Sequence, residues 1–285
     1  MILLPIISSL LLALGNVALR KSFKNVTPAF TFTMIAIFSI ITLIPVGFIL
    51  GVEKDALLLS LFYGLLSAVL GQALYNYALS KGEMSITATL LSTFPVYTIL
   101  FSYFINDERL TRIQILLVAV TIIGTMIISL TEKFDRSEFK NISYVFWPIL
   151  SAVMVGLTDS LAKNFIDRSG SGTFLVGVAI MQLPVSLIFM RIMKEPLRRI
   201  VDSFRKINIY KFALLGGFFA TLHIMTLFLS FEKFDASIAA PIIGGGAPLL
   251  TLVLSLIIFK DRISKKDYLG LFVTMAGIIG VSLAI

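Results

Sequence analysis

Of the 285 residues in this chain, 58% are hydrophobic and only 14% are charged, against roughly 25% charged in ordinary soluble domains. With a mean hydropathy of +0.98 the chain carries more apolar surface than a soluble fold of this size can hide, and the absence of cysteine excludes a disulfide framework and any Cys-based metal or redox site. The net charge of +8 lies in loops between apolar runs, which assigns it to membrane topology and anionic-lipid contact and argues against nucleic acid.

A helix needs about 20 apolar residues to cross ~30 Å of hydrocarbon. Stretches free of Asp, Glu, Lys and Arg cover residues 2–19, 25–52, 56–80, 84–106, 113–131, 141–158, 169–190, 212–231, 236–259 and 268–285. Hydrocarbon offers backbone N–H and C=O groups no partner, so such stretches fold as helices; a membrane β-barrel has instead ~10-residue segments of alternating polarity. The first run has neither a basic start nor a small-x-small cleavage site ahead of Arg20 and reads as a helix, not a signal peptide. The expectation is an all-α membrane protein of ten transmembrane helices.

Polar residues inside hydrocarbon face the bundle interior or a wet cavity, and few are present. The first span carries Gly15-Asn16. In the third, Gly64, Ala68, Gln72 and Asn76 recur every four residues, with Gly71 and Tyr75 beside them, a stripe that reads either as a cavity wall or as close helix packing. The fourth has Tyr97 beside Pro95, and the ninth has Pro241, Gly244-Gly245-Gly246 and Pro248. Prolines and glycines inside a span kink or unwind it, so Pro95, Pro241, Gly245 and Pro248 are candidate gating positions, plain packing kinks being the alternative.

Asp159 is the one acidic residue within a span. It binds a substrate amine or carries a coupling proton, or else forms a structural pair with Lys163 one turn on. The only histidine, His223, lies mid-way along the eighth span on a face shared with Gly216, Ala220, Thr226 and Ser230; it contacts substrate or a proton, or is a hydrogen-bonded packing residue. No second His or any Cys completes a metal site, and neither metal nor cofactor is expected.

Residues 95–130 align without gaps on 248–283 at an offset of 153, pairing Pro95 with Pro248, Ser102 with Ser255, Arg109 with Arg262 and Gly124 with Gly277. Just upstream an offset of 152 pairs Lys81 with Lys233 and Ser85 with Ser237, and weaker matches at 142 place Ser9 on Ser151 and Lys21 on Lys163. The organisation is a first five-helix repeat over 1–132, a linker over 133–143 and a second repeat over 144–285. Because five is odd, the second copy enters the membrane from the opposite side, and such inverted repeats are typical of secondary transporters with a midplane site.

The segment GLLSAVLGQALYNYALSKGEMSITATLLSTFPVYTILFSYFINDERLTRIQ, with its small-residue helix, Tyr-Ala-Leu exit, Ser-Ile-Thr-Ala return and Glu108-Arg109-Leu110-Thr111 corner, resembles the EamA domain of the drug/metabolite transporter superfamily. The corner recurs as Asp261-Arg262-Ile263-Ser264, and Leu14 stands where the family usually has Trp before the Gly-Asn pair. The resemblance covers essentially the whole chain. It implies a plasma-membrane or inner-membrane transporter of small organic solutes, often an exporter of amino acids or related metabolites, and names no substrate.

Orientation is contested. Loops counted from the N-terminus carry 18 Lys and Arg when odd and six when even, which places the odd loops in the cytoplasm and both termini outside, whereas the resemblance implies cytoplasmic termini. The seventh loop also contains Leu197, Ile200, Val201 and Phe204 at helical spacing among Arg198, Arg199, Arg205 and Lys206, the pattern of an amphipathic helix lying in the interface. The leading function is alternating-access transport of a small solute, with a proton as a possible coupling ion. A membrane enzyme lacks a catalytic cluster, a receptor or scaffold lacks a sizeable soluble segment, and a channel lacks a repeated selectivity motif.

Overall fold

In a computed structural model of the chain, residues 3–22, 26–79, 90–91, 93–129, 142–259 and 265–284 are described. Ten of the helices follow the ten apolar runs: α1 (Leu3–Ser22), α2 (Pro28–Leu50), α3 (Lys54–Ala78), α4 (Phe94–Ile105), α5 (Arg112–Ser129), α6 (Ile142–Ser169), α7 (Ser171–Ile192), α9 (Ile207–Lys233), α10 (Ala236–Phe259) and α11 (Lys265–Leu283). α2, α3, α6, α7 and α9 are long and apolar enough to cross a membrane, and the other five have shorter described apolar stretches. Between α7 and α9 the short helix α8 (Arg198–Arg205) forms where the amphipathic pattern predicted one. Its Val201 and Phe204 are exposed, Ile200 packs inward and Ser203 is buried against Met34 of α2.

The two-fold relation read from the sequence is carried by helix neighbours. α1 packs on α9 and α10, and its counterpart α6 on α3 and α4; α2 and α7 pack on each other, as do α5 and α11. Without a hydrophobic drive between helices in lipid, small residues let backbones approach and gain dispersion contacts. At the α5–α11 crossing, Gly124 lies against the Thr274 backbone while Gly277 lies against that of Thr121, and both alignments step by the same 153 residues. Gly64 of α3 meets Gly177 of α7, with 2.5 Å from an added Cβ to the Gly177 oxygen, and Gly217 of α9 meets Met34 and Ile35 of α2. Gly170 alone joins α6 to α7, at φ 72°, a left-handed backbone that glycine adopts without steric penalty.

Aromatic packing fixes the centre of the four-helix contact between α3, α6, α7 and α9. Tyr63 and Phe174 rings lie 4.6 Å apart, Phe174 and Phe228 stand edge to face at 4.9 Å, and Phe165 meets Tyr63 at 5.3 Å. Such pairs add about 0.5–1.5 kcal/mol each beyond the area they bury.

Several details differ from the linear reading. Lys163 reaches Asp167 at 2.7 Å, not Asp159, so the structural pair proposed for Asp159 does not form: the ammonium follows the exposed side of α6 while Asp159 is buried. Pro95 stands in the first turn of α4, where a missing N–H breaks no helical bond, and residues 90–91 just ahead of it are helical too. α10 stays helical across both prolines and all three glycines. Those glycines are a packing hub. An α-helix turns about 100° per residue, so successive glycines face different neighbours: Gly244 touches Phe94 and Pro95 of α4, Gly245 touches Thr121 and Thr125 of α5, and Gly246 touches Ser9 of α1.

Candidate solute pathway

The interior polar residues occupy a chain of touching helices, α9–α1–α10–α4–α6–α3. On α1 the Ser9 hydroxyl lies between the Pro5 carbonyl at 2.9 Å and the Ile242 carbonyl of α10 at 3.2 Å. From α4 to α6, Ser102 and Ser160 hydroxyls meet at 2.9 Å, and Tyr97 backs onto Gly156. From α6 to α3, the Tyr63 hydroxyl donates to the Thr158 carbonyl at 3.0 Å and Gly71 faces the Thr158 side chain.

His223 is held from one side. Its Nδ1 lies 2.8 Å from Ser8 Oγ and 3.1 Å from the Ser8 carbonyl, while Ser8 Oγ lies 3.3 Å from the His223 carbonyl. A carbonyl only accepts, so the arrangement that satisfies every group puts the proton on Nδ1, shared between the two Ser8 oxygens, with the Ser8 O–H donating to the His223 carbonyl. That leaves Nε2 an acceptor on a half-buried ring.

α3 is not one regular helix. Residues Ser67–Ala73 form a π-helical segment, a local widening frequent at functional sites, and it splits the four-residue stripe. Gly64 and Ala68 are packing positions, the latter buried among Phe30, Phe32, Met34 and Val185. Half-buried Gln72 lies within the widened turn, and beyond it come half-buried Tyr75 and buried Asn76, whose amide donates to the Gln72 carbonyl at 2.8 Å.

Asn16, Gln72, Tyr75 and Tyr97 are all half-buried, and among the described residues none of their side chains makes a hydrogen bond to protein. Asp159 is buried at 6% exposure and likewise has no hydrogen-bond or ion partner among the described residues. No group of three or more potential metal ligands occurs among them either.

One anchor went unnoticed in the sequence beyond its place in a corner motif. Glu108, buried after α4, accepts from the Ala236 N–H at 3.1 Å through Oε1 and from the Ser237 N–H at 2.8 Å through Oε2, so it caps α10. Asn106 donates both to Glu108 at 3.3 Å and to the Ser160 carbonyl of α6 at 3.0 Å. A carboxylate on the orphan amides of a helix N-terminus is favoured by charge-assisted bonding and by the helix dipole. Partial burial, and then the nearby Glu108 charge, hold the Asp235 carboxyl above the usual carboxylate range. Glu108→Ala is expected to lower detergent-solubilised stability by about 1–3 kcal/mol, the cost of stranding buried donors, and Glu108→Gln by less; thermal unfolding of the three proteins checks it.

Residues 1–130 and 142–283 each match the EamA-like transporter family. The chain belongs to that family. A solved crystal structure superposes on it with a TM-score of 0.79 at 16% identity, covering 99% of this chain and 97% of the other, which establishes the shared fold. An uncharacterized transporter of Archaeoglobus fulgidus is 24% identical over 98% of this chain and 96% of its own length. The uncharacterized transporter YyaM of Bacillus subtilis (strain 168) is 31% identical over 45% of this chain, an alignment that spans 40% of that relative. As an EamA-family protein this chain is a multi-pass membrane transporter whose partners are a small-molecule solute and the lipid bilayer.

Proposed function

We propose that the chain is a plasma-membrane or inner-membrane secondary transporter that exports or exchanges small organic solutes such as amino acids or related metabolites. Its two five-helix halves, 1–132 and 144–285 joined by 133–143, rock around a midplane cavity lined by Asn16, Gln72, Tyr75, Asn76, Tyr97, Asp159 and His223. The observation that carries this reading is the set of interior polar side chains without protein partners. A polar group in hydrocarbon costs several kcal/mol unless something bonds it, and water or a solute supplies what the bundle does not. Asp159 takes a proton or a substrate amine, and His223 Nε2 accepts from the solute. Pro95, Pro241, Gly245 and Pro248 mark where α4 and α10 pivot, with the glycine hub letting α10 slide against three neighbours.

Proteoliposome flux over a panel of amino acids, nucleosides, sugars and organic cations, with and without a pH gradient, tests the reading. Saturable flux of at least one solute is expected, and His223→Ala and Gln72→Ala are each expected to raise KM or cut flux about tenfold or more, the effect of losing one buried hydrogen bond of roughly 1.4 kcal/mol. No saturable flux of any solute, alongside hydrolytic or transferase activity, overturns it.

The proposed orientation follows the loop charges, with the odd loops and α8 in the cytoplasm. The chain has no native cysteine, so a single Cys at exposed Lys206 reports the side directly. It is expected to react with an impermeant maleimide only after permeabilisation; labelling on intact cells reverses the orientation.

A further inference from the structure

On the outer surface of the bundle, α2 and α9 leave a groove of about 370 Å³ between them, lined by Phe38, Ile207, Lys211, Leu214, Leu215 and Phe218. Five of these are apolar, and the five contributed by α9 stand at i, i+4, i+7, i+8 and i+11, one face of that helix. Phe38 and Phe218 meet edge to face at 5.8 Å and close the deep end. From Lys211 to Phe218 the helix rises ~10 Å at 1.5 Å per residue. That is about two thirds of the ~15 Å depth of one leaflet.

The shallow end is cationic. Lys211 lies over the Phe212 ring at 5.2 Å and Lys21 of α1 lies over the same ring at 4.7 Å. Among the described residues no carboxylate pairs with Lys211, and exposed Arg205 and Lys206 precede it at the end of α8. The acidic residue of this stretch, Asp202, lies one turn before Lys206 on α8. Two ammonium groups on one ring, above an apolar slot that runs down α9 to Phe38 and Phe218, match a molecule with one long acyl chain and an anionic head at its top.

We propose that this groove is a binding site for an anionic glycerophospholipid, one acyl chain lying along α9 against Phe38 and Phe218 and the phosphate held by Lys211, with Lys21 adding charge from across the Phe212 ring. The site lies outside the proposed solute pathway and stands whatever that pathway carries.

The protein has a single tryptophan, Trp147, which makes a reporter simple to build: Trp147→Phe with Phe218→Trp, or with Leu215→Trp if the first does not fold. The reporter is reconstituted into vesicles of phosphatidylcholine mixed with acyl-brominated phosphatidylglycerol, or with phosphatidylcholine brominated to the same extent. Half-maximal quenching is expected at about a fivefold lower fraction of the brominated anionic lipid, the size of one lysine's attraction to anionic headgroups. Lys211→Gln is expected to abolish that preference and Lys211→Arg to keep it. Equal quenching by the two brominated lipids overturns the proposal. So does a preference that survives Lys211→Gln, because the charge would then be read elsewhere, on α8.

Discussion

Asp159→Asn is expected to cut pH-gradient-driven flux of the transported solute by about tenfold or more, while leaving the protein at least as stable as the parent. The two halves of that expectation come from one fact: Asp159 is buried, and the cation nearest in sequence, Lys163, pairs with Asp167 instead. A buried carboxyl without a bonded partner is a liability to the fold whichever protonation state it adopts. Asn has nearly the same volume and carries no charge in either state, so the substitution removes the cost of burying a carboxylate without opening a cavity. A carboxyl retained at a cost to stability is what a proton- or amine-binding group looks like, the usual trade between stability and activity. A drop of about tenfold corresponds to 1.4 kcal/mol, less than the cost of removing a group that binds the transported charge directly. Uptake into proteoliposomes with and without an imposed pH gradient, read beside the melting temperature in detergent, separates the roles. A lowered melting temperature with intact coupling makes Asp159 structural and rejects its place in the pathway.

The fold was legible because the bilayer imposes it. Ten uncharged runs of spanning length leave few alternatives once every backbone group must be bonded internally, and the paired Pro, Gly and loop charges expose the repeat. α8 was equally readable, since an apolar stripe among Arg and Lys has one comfortable position at a membrane surface. The site was less so, for reasons that particular residues make plain. The stripe on α3 assumed 3.6 residues per turn throughout, whereas the stretch Ser67–Ala73, which includes Ala68 and Gln72, is π-helical. Nothing in local sequence announces that widening.

At Gly244 to Gly246 composition left a kink and plain packing both open because it does not record neighbours; in the structure the three glycines are helical and each admits a different helix. The Asp159–Lys163 spacing suited an ion pair, but Asp167 suits Lys163 equally well by spacing, and only burial decides between them. Ser8 was passed over because a serine in an apolar run is unremarkable until a histidine 215 positions away proves to face it at 2.8 Å. Glu108 had a usable signal: an acid in a corner motif that recurs as Asp261 in the second copy. Asp261 itself lies outside the described residues.

The α5–α11 crossing makes the sharpest demand of the inverted repeat. Gly124→Leu and Gly277→Leu are each expected to destabilise the protein by about 1–3 kcal/mol, the range for overpacking a close contact, and by nearly equal amounts. An added Cβ at Gly124 collides with the backbone of Thr274, and one at Gly277 collides with the backbone of Thr121; backbone cannot rotate away as a side-chain tip would. Neither helix contributes a residue to the proposed pathway, so the surviving folded fraction of each variant is expected to transport with the parental KM. The double variant is expected to fall short of additivity, because the first leucine already separates the two helices and relieves the second. Paired melting curves and flux measurements on the three variants check this. Markedly unequal single effects would mean that the crossing does not lie on the two-fold relating the halves, and a KM change in either variant would place α5 and α11 in contact with the solute.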